Sequence, residues 1–259
     1  MPIIKPTDIS APVYYPKNDY SVAKYLDLTK FISLLTKRSL FFCRVDKLED
    51  QFEGTIAKPN FNIRVKWHQI ANDFMDVPLT EEQILNEVKV MYEFDEKMRS
   101  LHCVNCWNKY NGESAALWKV YSDFSKGIMI KSSISKIIHS LDSVTNDISL
   151  SEIKYIDYKI DRMPDGNSMY PLIYKQKAYS FEEEIRLIYQ VPYNENWTHD
   201  WEKEEVLEGV YMHADIDQLI DEVIISPYSP KWFFELINDI SKKYGLNKPI
   251  NKSQLSLSE

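Results

Sequence analysis

Residues 80–121 read TEEQILNEVKVMYEFDEKMRSLHCVNCWNKYNGESAALWKVY, and the order of patterns inside that stretch decides the fold class. Thr80-Glu81-Glu82-Gln83 has the form of a capping box. Behind it Ile84, Leu85, Val88, Met91, Phe94 and Met98 recur at helical spacing, which predicts an amphipathic helix ending near Arg99. Residues 101–107 then alternate as a strand does, and 113–121 read as a short helix. A long helix running straight into a strand, and that strand into a short helix, lacks the repeating βαβ unit of a parallel α/β sheet.

The same irregular mixture continues in both directions. Leu28, Phe31, Ile32 and Leu35 predict a helix over 28–38, followed by a strand over 39–45. Arg44, Asp46, Lys47, Glu49, Asp50 and Glu53 come next, in a polar loop closing at Gly54. Downstream, strands are predicted at 127–131, 152–158, 184–191 and 223–226, and a helix at 133–141. A terminal helix spans 230–244, with Pro230 near its first turn and Gly245 just past its end. The chain contains no internal repeat and no low-complexity linker. The expectation is a single α+β domain over 1–259, built on a mixed or largely antiparallel central sheet flanked by helices. Residues 1–20 read as an irregular N-terminal arm and 250–259 as a flexible tail. Residues 159–179, with Pro164-Asp165-Gly166-Asn167, form the longest structureless stretch and a candidate site loop or lid.

Composition removes several function classes. Six glycines in 259 residues is about a third of the usual share of roughly 7%. They are scattered, so no Rossmann fingerprint, P-loop, kinase-type loop or G-x-S-x-G elbow exists. Lys and Arg total 31 against 39 Asp and Glu, a formal net charge of -8, and the densest charge run, Glu182-Glu183-Glu184, is acidic. General duplex nucleic-acid binding is disfavoured, because such binders neutralise phosphates with a basic face; a local basic pocket stays open. Residues 1–10 lack the apolar stretch of a signal peptide, and no run approaches the ~18 apolar residues of a membrane span. Cys43, Cys103 and Cys106 are expected to be reduced thiols, and the cytoplasm is the expected compartment.

Four groupings carry chemistry. His102-Cys103-Val104-Asn105-Cys106 suggests a metal or redox site, but the second ligand pair is missing. On a strand Cys103 and Cys106 would also face opposite ways; buried strand cysteines and no metal are expected. The five His residues are scattered, none in an H-E-x-x-H or a nucleophile–base arrangement. Glu113 and Ser114 open the short helix, where Glu113 would share a stripe with Leu117, Val120 and Phe124. Glu113 either contacts a ligand or merely sits at the positive helix end while Ser114 helps the cap. Trp107, Tyr110, Trp118 and Tyr121 crowd the same region and offer flat walls for a base or ring. Finally, strand alternation puts Glu182, Glu184 and Arg186 on one face. Two carboxylates about 7 Å apart would repel by roughly 2 kcal/mol at an effective dielectric near 20. Arg186 offsets much of that, so both acids could stay ionised near neutral pH. Such a group suits ribose hydroxyls or a cation developing on a sugar carbon; a solvated strand edge with one ion pair is the plainer alternative.

Taken together, the segments resemble the bacterial domain-of-unknown-function 2971 family nearly end to end. The landmarks are Lys24-Tyr25, Phe41 through Asp50 with Phe52-Glu53-Gly54, and Cys106-Trp107-Asn108 with Glu113 through Trp118. Later come Lys154 through Tyr158, Gly166-Asn167, Lys175 through Arg186, and Ser226 through Phe233. A more distant likeness is to ADP-ribosyltransferases, whose sites use an early-strand Arg or His, a Ser or Tyr, and a late-strand Glu. Arg44, Ser114 and Glu184 occur in that order, and Glu182-x-Glu184 looks like the paired acids of some such enzymes. The Ser-Thr-Ser strand motif is absent, and Ser114 falls on a predicted helix.

This resemblance implies an enzyme that cleaves the nicotinamide–ribose bond of NAD and transfers or hydrolyses the ADP-ribose. Glu184 would steady the ribose cation with Glu182 as its partner. Arg44 would hold a phosphate or ribose, Trp118 or Tyr121 would flank the ring, and Ser114 and Arg186 would complete the nucleotide contacts. A toxin or phage-defence role fits a small NAD-consuming protein. Two alternatives stand beside it. One is a non-catalytic ligand- or protein-binding module, in which Arg44, Glu113 and Glu184 do not converge. The other is a hydrolase using Glu113 and Glu182 as acid and base.

Overall fold

The computed structural model describes residues 3–4, 13–123, 125–192 and 207–256. Its strands are β1 (Ile3–Ile4), β2 (Ser21–Leu26), β3 (Ser39–Arg44), β4 (His102–Lys109), β5 (Ile128–Ser133), β6 (Ile148–Glu152), β7 (Lys154–Ile156), β8 (Tyr174–Gln176), β9 (Glu184–Gln190), β10 (Gly209–His213), β11 (Glu222–Ile225) and β12 (Ile250–Lys252). Its helices are α1 (Leu28–Lys37), α2 (Lys58–Asn72), α3 (Glu81–Met98), α4 (Ala115–Tyr121), α5 (Ile134–Ser140), α6 (Tyr170–Ile173), α7 (Ile216–Leu219) and α8 (Lys231–Lys243). One large sheet runs β1-β6-β9-β4-β2-β5-β11-β12, with β3 on β4 and β10 on β3; β7 and β8 form a separate parallel pair. Among the described residues, only β1–β6 and β11–β12 pair in parallel within the large sheet. The α+β class and the largely antiparallel sheet therefore stand.

Local sequence accounts for most boundaries. The Asp27 side chain accepts from the Lys30 N–H at 2.8 Å and starts α1. Both halves of the Thr80 capping box are formed, with Gln83 N–H to Thr80 Oγ1 at 3.3 Å and Thr80 N–H to Gln83 Oε1 at 2.8 Å. At the end of α8, Gly245 takes φ +75 and its N–H bonds the Lys242 carbonyl at 3.1 Å, the left-handed stop that glycine supplies best.

The structure adds α2, β2, β10 and α7, which the sequence reading did not include, takes Glu182 off the strand that carries Glu184 and Arg186 and onto a 3-10 turn, and revises four stretches that it did describe. The arm 1–20 includes β1, and Tyr14 is bonded through its N–H to Ser151 and through its carbonyl to Glu152 N–H; residues 5–12 lie outside the described residues. The strand expected at 152–158 breaks at Ile153, whose N–H turns to the Glu184 carbonyl, giving β6 and then β7. The stretch 159–179 is not structureless, since it carries α6 and β8. The tail 250–259 contains β12, which pairs with β11, and Ser253 is buried; residues 257–259 lie outside the described residues.

Register fixes two unlike faces on the central strands. Asn108 lies opposite Glu184, Cys106 opposite Arg186 and Val104 opposite Ile188, and alternation places these six on one face. Trp107, Asn105 and Cys103 share the other face with Ile185, Leu187 and Tyr189. That second face carries the main apolar core, completed by Phe31 and Leu35 of α1, Ile137 of α5, and Phe233 and Ile237 of α8. The first face carries two smaller clusters. One gathers Tyr25, Leu117, Trp118, Met129 and Ile224 under α4; the other gathers Val45, Val104, Tyr158, Leu172 and Ile188.

Candidate functional site

A group of buried charges occupies the first face. β9 supplies Glu184 and Arg186 two residues apart, so both side chains turn the same way. β8 supplies Lys175. A 3-10 turn over Lys177–Glu182 supplies Glu182. Glu53 comes from the turn that ends at Gly54. Gly54 holds φ +74, and a Cβ there would stand 2.7 Å from Val45 Cγ1, so a side chain at 54 would push this turn off the sheet.

Three carboxylates meet two cations. Lys175 Nζ lies 2.6 Å from Glu182, 3.0 Å from Glu184 and 3.0 Å from Glu53. Arg186 donates from Nε to Glu184 at 2.7 Å, from Nη1 to Glu53 at 3.0 Å, and from Nη1 to the Leu172 carbonyl at 2.8 Å. All five side chains are buried. Around them, the Tyr121 hydroxyl donates to Glu182, and the Tyr155 hydroxyl accepts from the Glu184 N–H at 2.8 Å. Lys175 stands 4.9 Å from the Tyr179 ring centroid. Burial, and the Glu184 charge beside it, push the Cys106 thiol up, so it stays protonated.

The environment separates the two acids of the β9 end. Burial opposes charge on Glu184, but Arg186 and Lys175 outweigh it and hold that carboxyl well below the usual range. On Glu182 burial wins. Lys175 offsets it only in part, the Glu184 charge adds to it, and the carboxyl is pushed up. Lys175 itself is raised: burial opposes its charge, and Glu184 and Glu53 more than compensate.

No family model matches the chain, that of the domain-of-unknown-function 2971 family included. No curated protein matches it either. Among solved structures, Thermus sp. 2.9 DarT in complex with carba-NAD+ is similar, at 8% identity over 93% of this chain and 97% of that one, with a TM-score of 0.37. A score of that size leaves the site to be read from its own residues.

Of the residues singled out by sequence, Glu182, Glu184, Arg186 and Tyr121 come together. Arg44 does not join them: its Nε and Nη2 pair with Asp46 at 2.7 and 2.9 Å. Glu113 precedes α4 rather than riding its stripe. It accepts from Trp118 Nε1 at 3.1 Å, from Gln254 N–H at 2.7 Å and from the Ser253 hydroxyl. Ser114 is the helix cap, accepting from Leu117 N–H at 3.3 Å. Trp118 is buried edge-on against Tyr25 at 4.9 Å, and Trp107 points to the opposite face of the sheet. The guanidinium of the cluster is thus Arg186, and the adjacent rings are Tyr121, Tyr155 and Tyr179.

Sequence reasoning missed Lys175, Glu53 and Tyr155. Lys175 did leave a signal, a lone charge behind the apolar run Leu172-Ile173-Tyr174. Cys103 and Cys106 take opposite faces as expected, and all three cysteines are free. Among the described residues no group of three or more His, Cys, Asp or Glu could hold a metal, and no helix is long and apolar enough to cross a membrane. His199 lies outside the described residues.

Proposed function

We propose that the chain is an ADP-ribosyltransferase-like enzyme that breaks the nicotinamide–ribose bond of NAD. The observation that carries this reading is the opposite drive on Glu182 and Glu184 inside one charge cluster. Two neighbouring acids whose environments push them apart are suited to different tasks. As the bond from C1′ to the ring nitrogen breaks, its electron pair leaves with nicotinamide and positive charge grows on the ribose. Glu184, kept anionic by Arg186 and Lys175, is the group to stabilise that charge. A new bond then forms from C1′ to the oxygen of water or of an acceptor, and the proton released there goes to Glu182. Lys175 and Arg186 act as positioning residues. The cluster is closed, so substrate entry in this reading displaces the turn bearing Glu53.

A second reading, a non-catalytic ligand- or protein-binding module, has its own observation. Arg44 pairs with Asp46, Glu113 with Trp118 and the C-terminal stretch, and Glu184 with Lys175 and Arg186; none of these bonds joins one acid or base of the three to another. With three donors on Glu113, the hydrolase reading has no comparable support.

Release of nicotinamide from NAD, followed by proton NMR, separates the two. The enzyme reading expects turnover by the wild type and a loss of about a hundredfold or more in Glu184→Gln, with the variant's fold checked by circular dichroism. Unchanged turnover in Glu184→Gln overturns the assignment. A folded wild type that neither binds nor consumes NAD leaves the module reading.

A further inference from the structure

Helices α2 and α3 form a hairpin whose base is fastened to the body and whose far half, among the described residues, is not. At the base, Arg64 bonds Asp95 and Asp165 at 2.6 Å each, and the Phe61 and Tyr92 rings lie 5.4 Å apart. Asn60 and Arg64 are the buried residues of α2. The stripe they mark continues along the helix as Trp67 and Ala71, with Ile70 beside it, and past the helix end as Phe74. Among the described residues nothing covers it here: Trp67 is 66% exposed, Ile70 43% and Phe74 86%. Met75 and Val77 extend the same apolar surface around the turn.

This surface is held in place. Backbone bonds from Asp73, Phe74 and Met75 back to Ile70, Ala71 and Asn72 carry the winding past the helix end. The Asn72 amide grips Leu79 twice, donating to its carbonyl at 2.9 Å and accepting from its N–H at 2.6 Å. The capping box at Thr80 then starts α3. A fixed apolar stripe loses little freedom when it is covered, which favours binding.

The charges flanking the stripe say what covers it. Lys66 stands on one flank toward the body, and Asp73 stands on the same flank seven residues nearer the tip, both exposed. In an antiparallel pairing about a two-fold axis near Ile70, equivalent flanks meet, and each Lys66 faces Asp73 of the other copy. An isologous contact requires such self-complementarity. The five apolar side chains offer on the order of 500 Å² per copy. That is close to the apolar share of the roughly 800 Å² per partner that a stable pair buries.

We propose that the tip half of the α2–α3 hairpin is a self-association surface, joining two copies of this chain through Trp67, Ile70 and Phe74 with reciprocal Lys66–Asp73 pairs. Sedimentation velocity of the full chain over a micromolar concentration series tests it, together with Phe74→Ser, Lys66→Asp, Asp73→Lys and the double charge swap. A concentration-dependent dimer is expected. Phe74→Ser should weaken it by about tenfold or more, each single charge change should weaken it, and the double swap should restore it. These positions lie at the surface, and unchanged circular dichroism verifies that the variants fold. Monomer at every concentration overturns the proposal, as does a dimer indifferent to Phe74→Ser or a double swap that fails to rescue. Binding of the monomer to phosphatidylglycerol vesicles through Trp67 also overturns it, in favour of a lipid partner.

Discussion

The molecule reverses the usual placement of polar and apolar groups in two regions, and they resolve differently. Under β9, five charged side chains are sealed from water, yet every one has partners within the chain. At the tip of the hairpin, Trp67, Ile70, Phe74, Met75 and Val77 stand in water although the segment carrying them is well bonded. The first reversal is closed within one chain. The second is complete only if something outside the described residues covers it. A buried charge therefore speaks of chemistry or architecture inside the protein, and a held, exposed apolar stripe speaks of a neighbour.

The sharpest way to break that contrast is to mutate one residue from each region. Arg186→Met leaves Glu184, Glu53 and the Leu172 carbonyl short of donors in the interior. It is expected to cost about 3–5 kcal/mol in urea unfolding. Trp67→Ser, on the open stripe, should stay within about 0.5 kcal/mol when unfolding is followed at concentrations where the chain is monomeric. Equal losses would mean that the hairpin stripe is covered within the monomer after all.

Acid comes next in size. Because Glu184 has its carboxyl depressed in the folded state, its contribution is fully present above the ordinary carboxylate range. It is lost as pH falls through that range toward the depressed value. Glu182, raised by burial, works the other way and gains stability for the native state as pH falls. Thermal unfolding between neutral pH and about pH 4 should show a steeper decline for the wild type than for Glu184→Gln, and for Glu182→Gln a decline at least as steep as the wild type's. Identical slopes in all three would mean that neither acid is coupled to the fold.

The smallest effect concerns Glu113. Glu113→Ala deprives the buried Trp118 N–H and the Gln254 N–H of their acceptor, at an expected cost of about 1–3 kcal/mol. Limited proteolysis should then cut near β12 sooner than in the wild type, with the charge cluster intact.

What could be read from the chain follows from what is local. The Thr80 box, the α1 stripe and the alternation of Glu184 with Arg186 depend on neighbours within a few residues, and each is found where the pattern puts it. α2 escaped because its buried residues, Asn60 and Arg64, are polar and find their partners at Met163, Asp95 and Asp165. The apolar residues at helical spacing, Trp67, Ala71 and Phe74, are confined to its exposed far half and end, so no apolar stripe marks the half that packs on the body. Glu53 escaped for the same reason, since its partners Lys175 and Arg186 lie more than a hundred residues away; Lys175 has Glu182 and Glu184 within nine residues, but on a separate turn and strand whose meeting no local spacing marks. Arg44 has the opposite history. Its order along the chain suggested a shared site, but Asp46, two residues on, engages it locally.

One small feature joins the two acids. Glu183, between them, holds a left-handed backbone (φ 42, ψ 53), and its own carboxylate points away to Asn111 Nδ2 at 3.0 Å. That reversal lets residues 182 and 184 arrive at Lys175 from different directions, one off a turn and one off a strand. A residue with a Cβ is strained there by about 1–2 kcal/mol, so the joint behaves as a wound spring. Glycine at 183 would unwind it and loosen the aim of both neighbours, so relief of tension at this hinge comes at the expense of alignment.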